Sequence, residues 1–422
     1  MKRALLVILA LTVAATFSFA GGTGEKQVKQ ISWQVWETPN LTREFYDNIV
    51  KAFEAKNPDI KVKIIDCNAN ITPSADDFEK TRLAAGDVPD LMSNLTVAFF
   101  ADAGHLWEIP ASDPDLKKVN NLQGAAYKGK LYSFNSSVQP QGLMFYNKQL
   151  FAKVGITATP KPWADFDAAC AKLKAAGLTP ILTGGNWVAG YAFVTFTSPE
   201  IYHNNTKWYA DRWAGKVHFT DPDYVEAATW FNSLVSKGYF NEGALSIEYS
   251  SLEQHFLAGD QAIYPMGSWF TAADANAKKD WETGVFFSPT KDGKPHLVQS
   301  LSYGTTPVIY SKSKNPDAAW KLLKFSIMDA VYGAMFIQVD GLFSALNPPL
   351  DYNMTPLQKA LGALVPTAKT TSAFYNLKVG DMPPAGLTAV YDKVGQTILA
   401  GGVTDVKSLM QELDDFWNQA KQ

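Results

Sequence analysis

Trp36 with Glu37, Asn94, and Asn186 with Trp187 stand where strands are expected to end, and their side chains suit holding a ligand rather than breaking one. An indole offers a flat apolar face; a carboxylate or amide offers fixed hydrogen-bonding groups beside it. Catalytic sets are harder to find. His105, His203, His218, His255 and His296 are scattered without zinc-ligand spacing, so no metal is expected. The sequence has no Gly-x-Ser-x-Gly elbow, Walker loop or dinucleotide glycine fingerprint, and no cofactor is expected either. A glycosidase would need two carboxylates about 5–10 Å apart. Glu37 with Asp90, or Glu242 with Glu248, could be drafted, but 41 acidic residues produce such pairs by chance.

The elements that would carry these residues alternate strand and helix. Ile31, Trp33 and Val35 share one face of a strand, and Trp36 falls out of phase at its carboxyl end. A helix from about Leu41, capped by Asn40, buries Leu41, Phe45, Ile49 and Phe53 and stops at Asn57-Pro58. A strand over Ile60 to Asp66 and a helix from Ser74-x-x-Asp77 to Gly86 continue the rhythm. Such alternation predicts an α/β protein with mixed, mostly parallel sheets flanked by helices. Ligands of such sheets sit beyond the carboxyl ends of strands, which singles out Trp36, Glu37 and Asn94. Later, a strand over Thr179 to Thr183 runs into Gly184-Gly185-Asn186-Trp187, and Ser250-x-x-Glu253 reads as a capping box. Trp33, Trp230, Trp320 and Trp417 lie on buried stripes, the last with Val406, Leu409 and Leu413.

With 422 residues, two domains are expected, and 46% hydrophobic against 19% charged residues is enough to bury large cores. A net charge of −3 gives no reason to expect nucleic acid as partner. Residues 1–20 read as a signal peptide: Lys2-Arg3, an apolar run, then Ser18-Phe19-Ala20 as cleavage site. No cysteine follows the cut, so a lipid anchor is not expected and the mature chain should be free in a periplasm or outside the cell. Cys67 and Cys170, the two cysteines, are expected as buried free thiols.

Five stretches carry a family resemblance. Tyr127-Lys128-Gly129-Lys130-Leu131-Tyr132, Phe145-Tyr146-Asn147-Lys148-Gln149-Leu150-Phe151 and Pro162-Trp163-Ala164-Asp165-Phe166 resemble extracellular solute-binding proteins of carbohydrate ABC importers, the maltose-binding-protein type. So do Phe256-Leu257-Ala258-Gly259, running to Gly267-Ser268-Trp269, and the helix from Pro316 to Phe325. The resemblance implies a two-lobe periplasmic-binding-protein fold joined by crossover hinges. Lobe 1 would hold 28–137 and 285–328; lobe 2 would hold 138–284 and 329–422. It further implies that Trp269 stacks on a sugar, that Gln139 contacts a hydroxyl at the first crossover, and that Tyr303 and Phe343 line the cleft.

The implied function is capture of a sugar or oligosaccharide by hinge closure and delivery, as a monomer, to the importer's membrane permease subunits. A sugar is fully hydrogen-bonded in water, so a binder must offer ring faces and polar groups together. Two alternatives stay open: a secreted glycosidase or lyase, and a binder of a non-sugar solute such as a polyamine or peptide.

Overall fold

The computed structural model describes residues 28–420 apart from 70–71, 73, 121, 135, 295–296, 303–306, 373–382 and 385. The expected signal peptide and Tyr303 lie outside the described residues. In chain order the strands are β1 (Lys29–Glu37), β2 (Ile60–Asn68), β3 (Leu91–Ser93), β4 (Ser137–Gln141), β5 (Leu143–Asn147) and β6 (Thr179–Ile181). They continue with β7 (Gln261–Met266), β8 (Thr283–Phe287), β9 (Leu297–Ser302), β10 (Pro307–Ile309), β11 (Phe343–Ser344) and β12 (Lys369–Ser372).

The first lobe is built on a sheet of order β10-β3-β1-β2, in which β1 runs parallel to both neighbours and β10 is antiparallel. Gln34, on the other face of β1, is buried as well. It is satisfied: its Oε1 accepts from Ser93 N at 2.7 Å and its Nε2 donates to the Val35 carbonyl at 3.0 Å. The following helix starts at Arg43 with Thr42, not Asn40, as cap, the Thr42 hydroxyl accepting from Phe45 N. Leu41, Phe45, Ile49 and Phe53 are all buried, as the spacing predicts.

The second lobe's sheet has the order β6-β7-β5-β8, with β6 parallel to β7 and β5 antiparallel to both of its neighbours. Its core is crossed by the helix Trp187–Asn204, of which 14 residues are buried. No period announces that helix, because it is apolar on every side. It crosses the helix Leu387–Leu399 at a glycine pair. A Cβ on Gly190 would lie 2.7 Å from the backbone N and Cα of Asp392, and one on Gly395 would lie 2.2 Å from the Ala189 carbonyl. Side chains there would force the helices apart. Gly190→Val is expected to lower the urea midpoint by the equivalent of at least about 1–3 kcal/mol; an unchanged midpoint would show that the crossing yields.

A third sheet, β11-β4-β9-β12, joins the lobes. The polar Gln139-Pro140-Gln141 segment is part of β4. Pro140 has no N–H to give, and the ladder accommodates it with a register shift between Gln139 and Gln141. Asp329 caps the next turn through Val331 N and Tyr332 N and pairs with Lys56 of the first lobe at 3.0 Å. Phe336, Ile337, Leu342 and Leu346 then pack into the same hydrophobic core as Ile31, Trp33 and Phe45.

Trp33, Trp230, Trp320 and Trp417 are core residues, Trp230 stacked on Trp163 with ring centroids 4.5 Å apart. Both cysteines are free and buried, Cys67 in the first lobe and Cys170 in the second.

Candidate functional site

The sheet of the first lobe reverses direction at β1: β2 lies on one side and β3 on the other. A crevice opens at the carboxyl ends of such a pair. Glu37 ends β1 and Asn94 follows β3, its side chain exposed and its backbone at φ 63°. Glu37 belongs to a network with the end of β2: Asn68 Nδ2 donates to its carboxylate at 3.5 Å, and Arg43 holds Asp66 through two contacts of 2.6 and 2.7 Å. Partial burial and the nearby Asp66 raise the Glu37 pKa above the usual carboxylate range. Trp36 is half-buried and packs on the side cluster of Cys67, Met92 and Phe100. Among the described residues no ring contact joins it to the second lobe's aromatics.

Those aromatics form one continuous group. Trp187, the first residue of the buried helix, packs against Tyr249 at 4.8 Å and Tyr191 at 5.9 Å between ring centroids. Tyr191 in turn meets Trp269 at 5.9 Å and 65°. Trp269 lies flat over Gly267, where a Cβ would fall 1.9 Å from its ring, so glycine there is a condition of the ring's position. Both tryptophans are only partly buried. Beside them, Asn186 donates from Nδ2 to the exposed Glu248 carboxylate at 2.9 Å. Asn186 and Trp187 are therefore together, as their adjacency suggests, and Trp269 joins them through Tyr191.

Gln139 sits deeper. It is 6% exposed, accepts from Gln141 Nε2 at 3.2 Å, and donates to Asp340 at 3.4 Å. Asp340 also accepts from Asn40 Nδ2 at 3.5 Å, and the same amide donates to the Trp269 carbonyl at 3.1 Å. Burial pushes the Asp340 carboxyl up to about 7 against the opposing effect of Asn40. Glu253, buried in the helix Tyr249–Leu257, is also pushed up to about 7, by burial and then by Asp340. Phe343 is half-buried on β11, its ring against Gly362.

The sequence reading misses Asn40, Tyr249 and Asp340. Asn40 looked like a helix cap and instead reaches across the seam. The capping box at Ser250 hid Tyr249, because the helix actually begins at Tyr249 with Glu248 as its cap. Asp340 carries no local signal at all. Among the described residues no group of three or more His, Cys, Asp or Glu could hold a metal ion. Of the carboxylates considered for hydrolysis, Asp90 is committed to Ser32 N and Oγ and to Ser313 Oγ, at 2.6–2.9 Å.

Two α/β lobes joined by a crossover sheet, with aromatics and amides gathered at the seam, define a two-lobe solute-binding protein. Residues 38–330 match the family described as bacterial extracellular solute-binding protein, and the chain belongs to that family. It is similar to a probable sugar-binding periplasmic protein of Mesorhizobium japonicum, 28% identical over 98% of this chain and 100% of the relative. A multiple sugar-binding protein of Streptococcus mutans is 25% identical over 74% of each chain. Among solved structures, a chitin oligosaccharide binding protein superposes with a TM-score of 0.80 at 23% identity, covering 94% of this chain and 100% of that one.

Proposed function

We propose that this protein is the sugar receptor of an ABC importer: it holds an oligosaccharide between its lobes, closes over it, and presents it unaltered to membrane permease subunits. The observation that carries this reading is the run of rings in which half-buried Trp187, Tyr249 and Trp269 are joined by the buried Tyr191, rimmed by Asn186 and Glu248. Fully buried rings would be core; exposed lone rings would be surface. Contiguous, partly covered rings beside fixed polar groups match a guest that is apolar on its C–H faces and polar at its edges. In this reading Glu37 and Asn94 supply polar contacts from the first lobe, and Trp36, Gln139, Tyr303 and Phe343 border the guest. Relatives named for multiple sugars and chitin oligosaccharide support the same guest class. The closed form gains contacts that the open form lacks, so ligand shifts the population toward closure. The commitment of Asp90 to Ser32 and Ser313 favours holding over cleavage. The protein works as a monomer, released to the periplasm or cell exterior after the leader is cut near Ala20.

A thermal-shift screen tests this directly. A cognate oligosaccharide at about 100 times its Kd should stabilise the chain by about 2.7 kcal/mol, visible as a rise of a few degrees. A panel of mono- and oligosaccharides that leaves Tm unmoved, while a polyamine or peptide raises it, would replace sugar with that solute.

A further inference from the structure

The seam between the lobes holds a polar arrangement that ring stacking does not require. Asp340 ends the first lobe's helix Tyr332–Val339 and accepts from Asn40 of the same lobe and from Gln139 of the crossover strand β4. Asn40 also donates across the seam to the carbonyl of Trp269. The neighbouring Gly341, at φ 60°, lies so close to the second lobe that a Cβ would fall 2.3 Å from the Ser268 carbonyl and 2.5 Å from Thr271 Oγ1. Ser268 is itself tied to the crossover, its N–H donating to the Pro140 carbonyl at 2.8 Å. Asp340 therefore meets the first lobe and the crossover directly, and the segment that carries Trp269 through Asn40 and the adjoining Gly341.

We infer that Asp340 is a positioning residue that sets how far the lobes close and, through Asn40, where Trp269 stands, so that closure is favoured as the solution is acidified. This rests on hinge closure as proposed above.

The sign follows from what surrounds it. The Asp340 carboxylate acts electrostatically on Glu253 and on the Tyr249 hydroxyl of the helix Tyr249–Leu257; Asn40 and Gln139 are neutral. Among the described residues no Lys, Arg or His is paired with either carboxylate. Below about pH 7 both carboxyls hold protons, burial keeping them neutral, and the seam carries no charge. Above that pH two like charges would share a buried seam without a cation. Parting the lobes admits water to both and relieves the repulsion.

Small-angle scattering of the ligand-free full chain at pH 5.5 and 8.5 reads closure without any sugar. The parent protein should have a larger radius of gyration at the higher pH. Asp340→Asn should remove that difference, and Asn40→Ala should enlarge the radius at pH 5.5 and alter the near-ultraviolet dichroism of the indoles. A parent radius that does not respond to pH, or an Asp340→Asn variant that keeps the parent's response, would overturn the inference. Should Asp340→Asn fail to fold, Glu253→Gln takes its place and should shrink the response; a response of parental size there overturns the inference equally. Because no guest is present, loss of the pH response leaves the sugar reading standing. Conversely, a non-sugar guest in the screen leaves this one standing.

Discussion

Titrated by calorimetry with whichever sugar raises Tm most, Trp269→Ala is expected to lose roughly 2–4 kcal/mol of affinity, about 30- to 1,000-fold. The ring covers Gly267 and meets Tyr191 edge-on, so its loss removes a stacking face and also loosens the tyrosine that spaces it from Trp187. A small fall in Tm should accompany the change, because the ring is partly buried. Trp187→Ala separates the two effects. That ring stands at the first turn of its helix, over Tyr249, and its removal should weaken binding with less cost to the fold. Undiminished affinity in both variants would mean that the guest sits elsewhere.

The second large effect concerns the carboxyl-terminal helix Val406–Ala420. Asp414 is 2% exposed and pairs with the equally buried Arg212 at 3.0 Å. Its carboxylate also accepts from Phe219 N, Thr220 N and Thr220 Oγ1 at 2.8–3.0 Å. Arg212 reaches Asn418 at 2.9 Å and lies over the Trp417 ring, 5.4 Å from its centroid. Asp414→Ala would leave a guanidinium and two backbone N–H groups buried without this partner. Breaking one side of such a pair costs about 3–5 kcal/mol. The urea midpoint of the second lobe should fall accordingly, and Asp414→Asn, which keeps an acceptor, should fall less. Equal midpoints for parent and Asp414→Ala would show that water enters the site.

The α/β rhythm, the first lobe's core stripe and the four core tryptophans were legible because each follows a local period or cap. Ser74 and Gly86 act at their helix ends as the sequence suggests. What failed to show has a physical reason. The helix Trp187–Asn204 is buried on all sides and therefore lacks a period. Asn40 has the composition of a cap but a partner about 230 residues away, which no local pattern encodes. Asp340 matters through Gln139, 201 positions distant, and through Glu253 across the seam. The ring cluster was legible in part: Trp187 from its glycine-rich approach and Trp269 through family resemblance, whereas Tyr249 was masked by a false helix start.

Cys67 and Cys170 have a practical consequence. Burial pushes the Cys67 thiol up to about 12 and raises Cys170 well above its ordinary value, so neither is a ready nucleophile at neutral pH. Each half of the molecule thus contains one concealed thiol that reagents reach only when that half breathes. Alkylation timed with and without guest would report the local opening of the two halves as separate clocks, with no foreign label introduced.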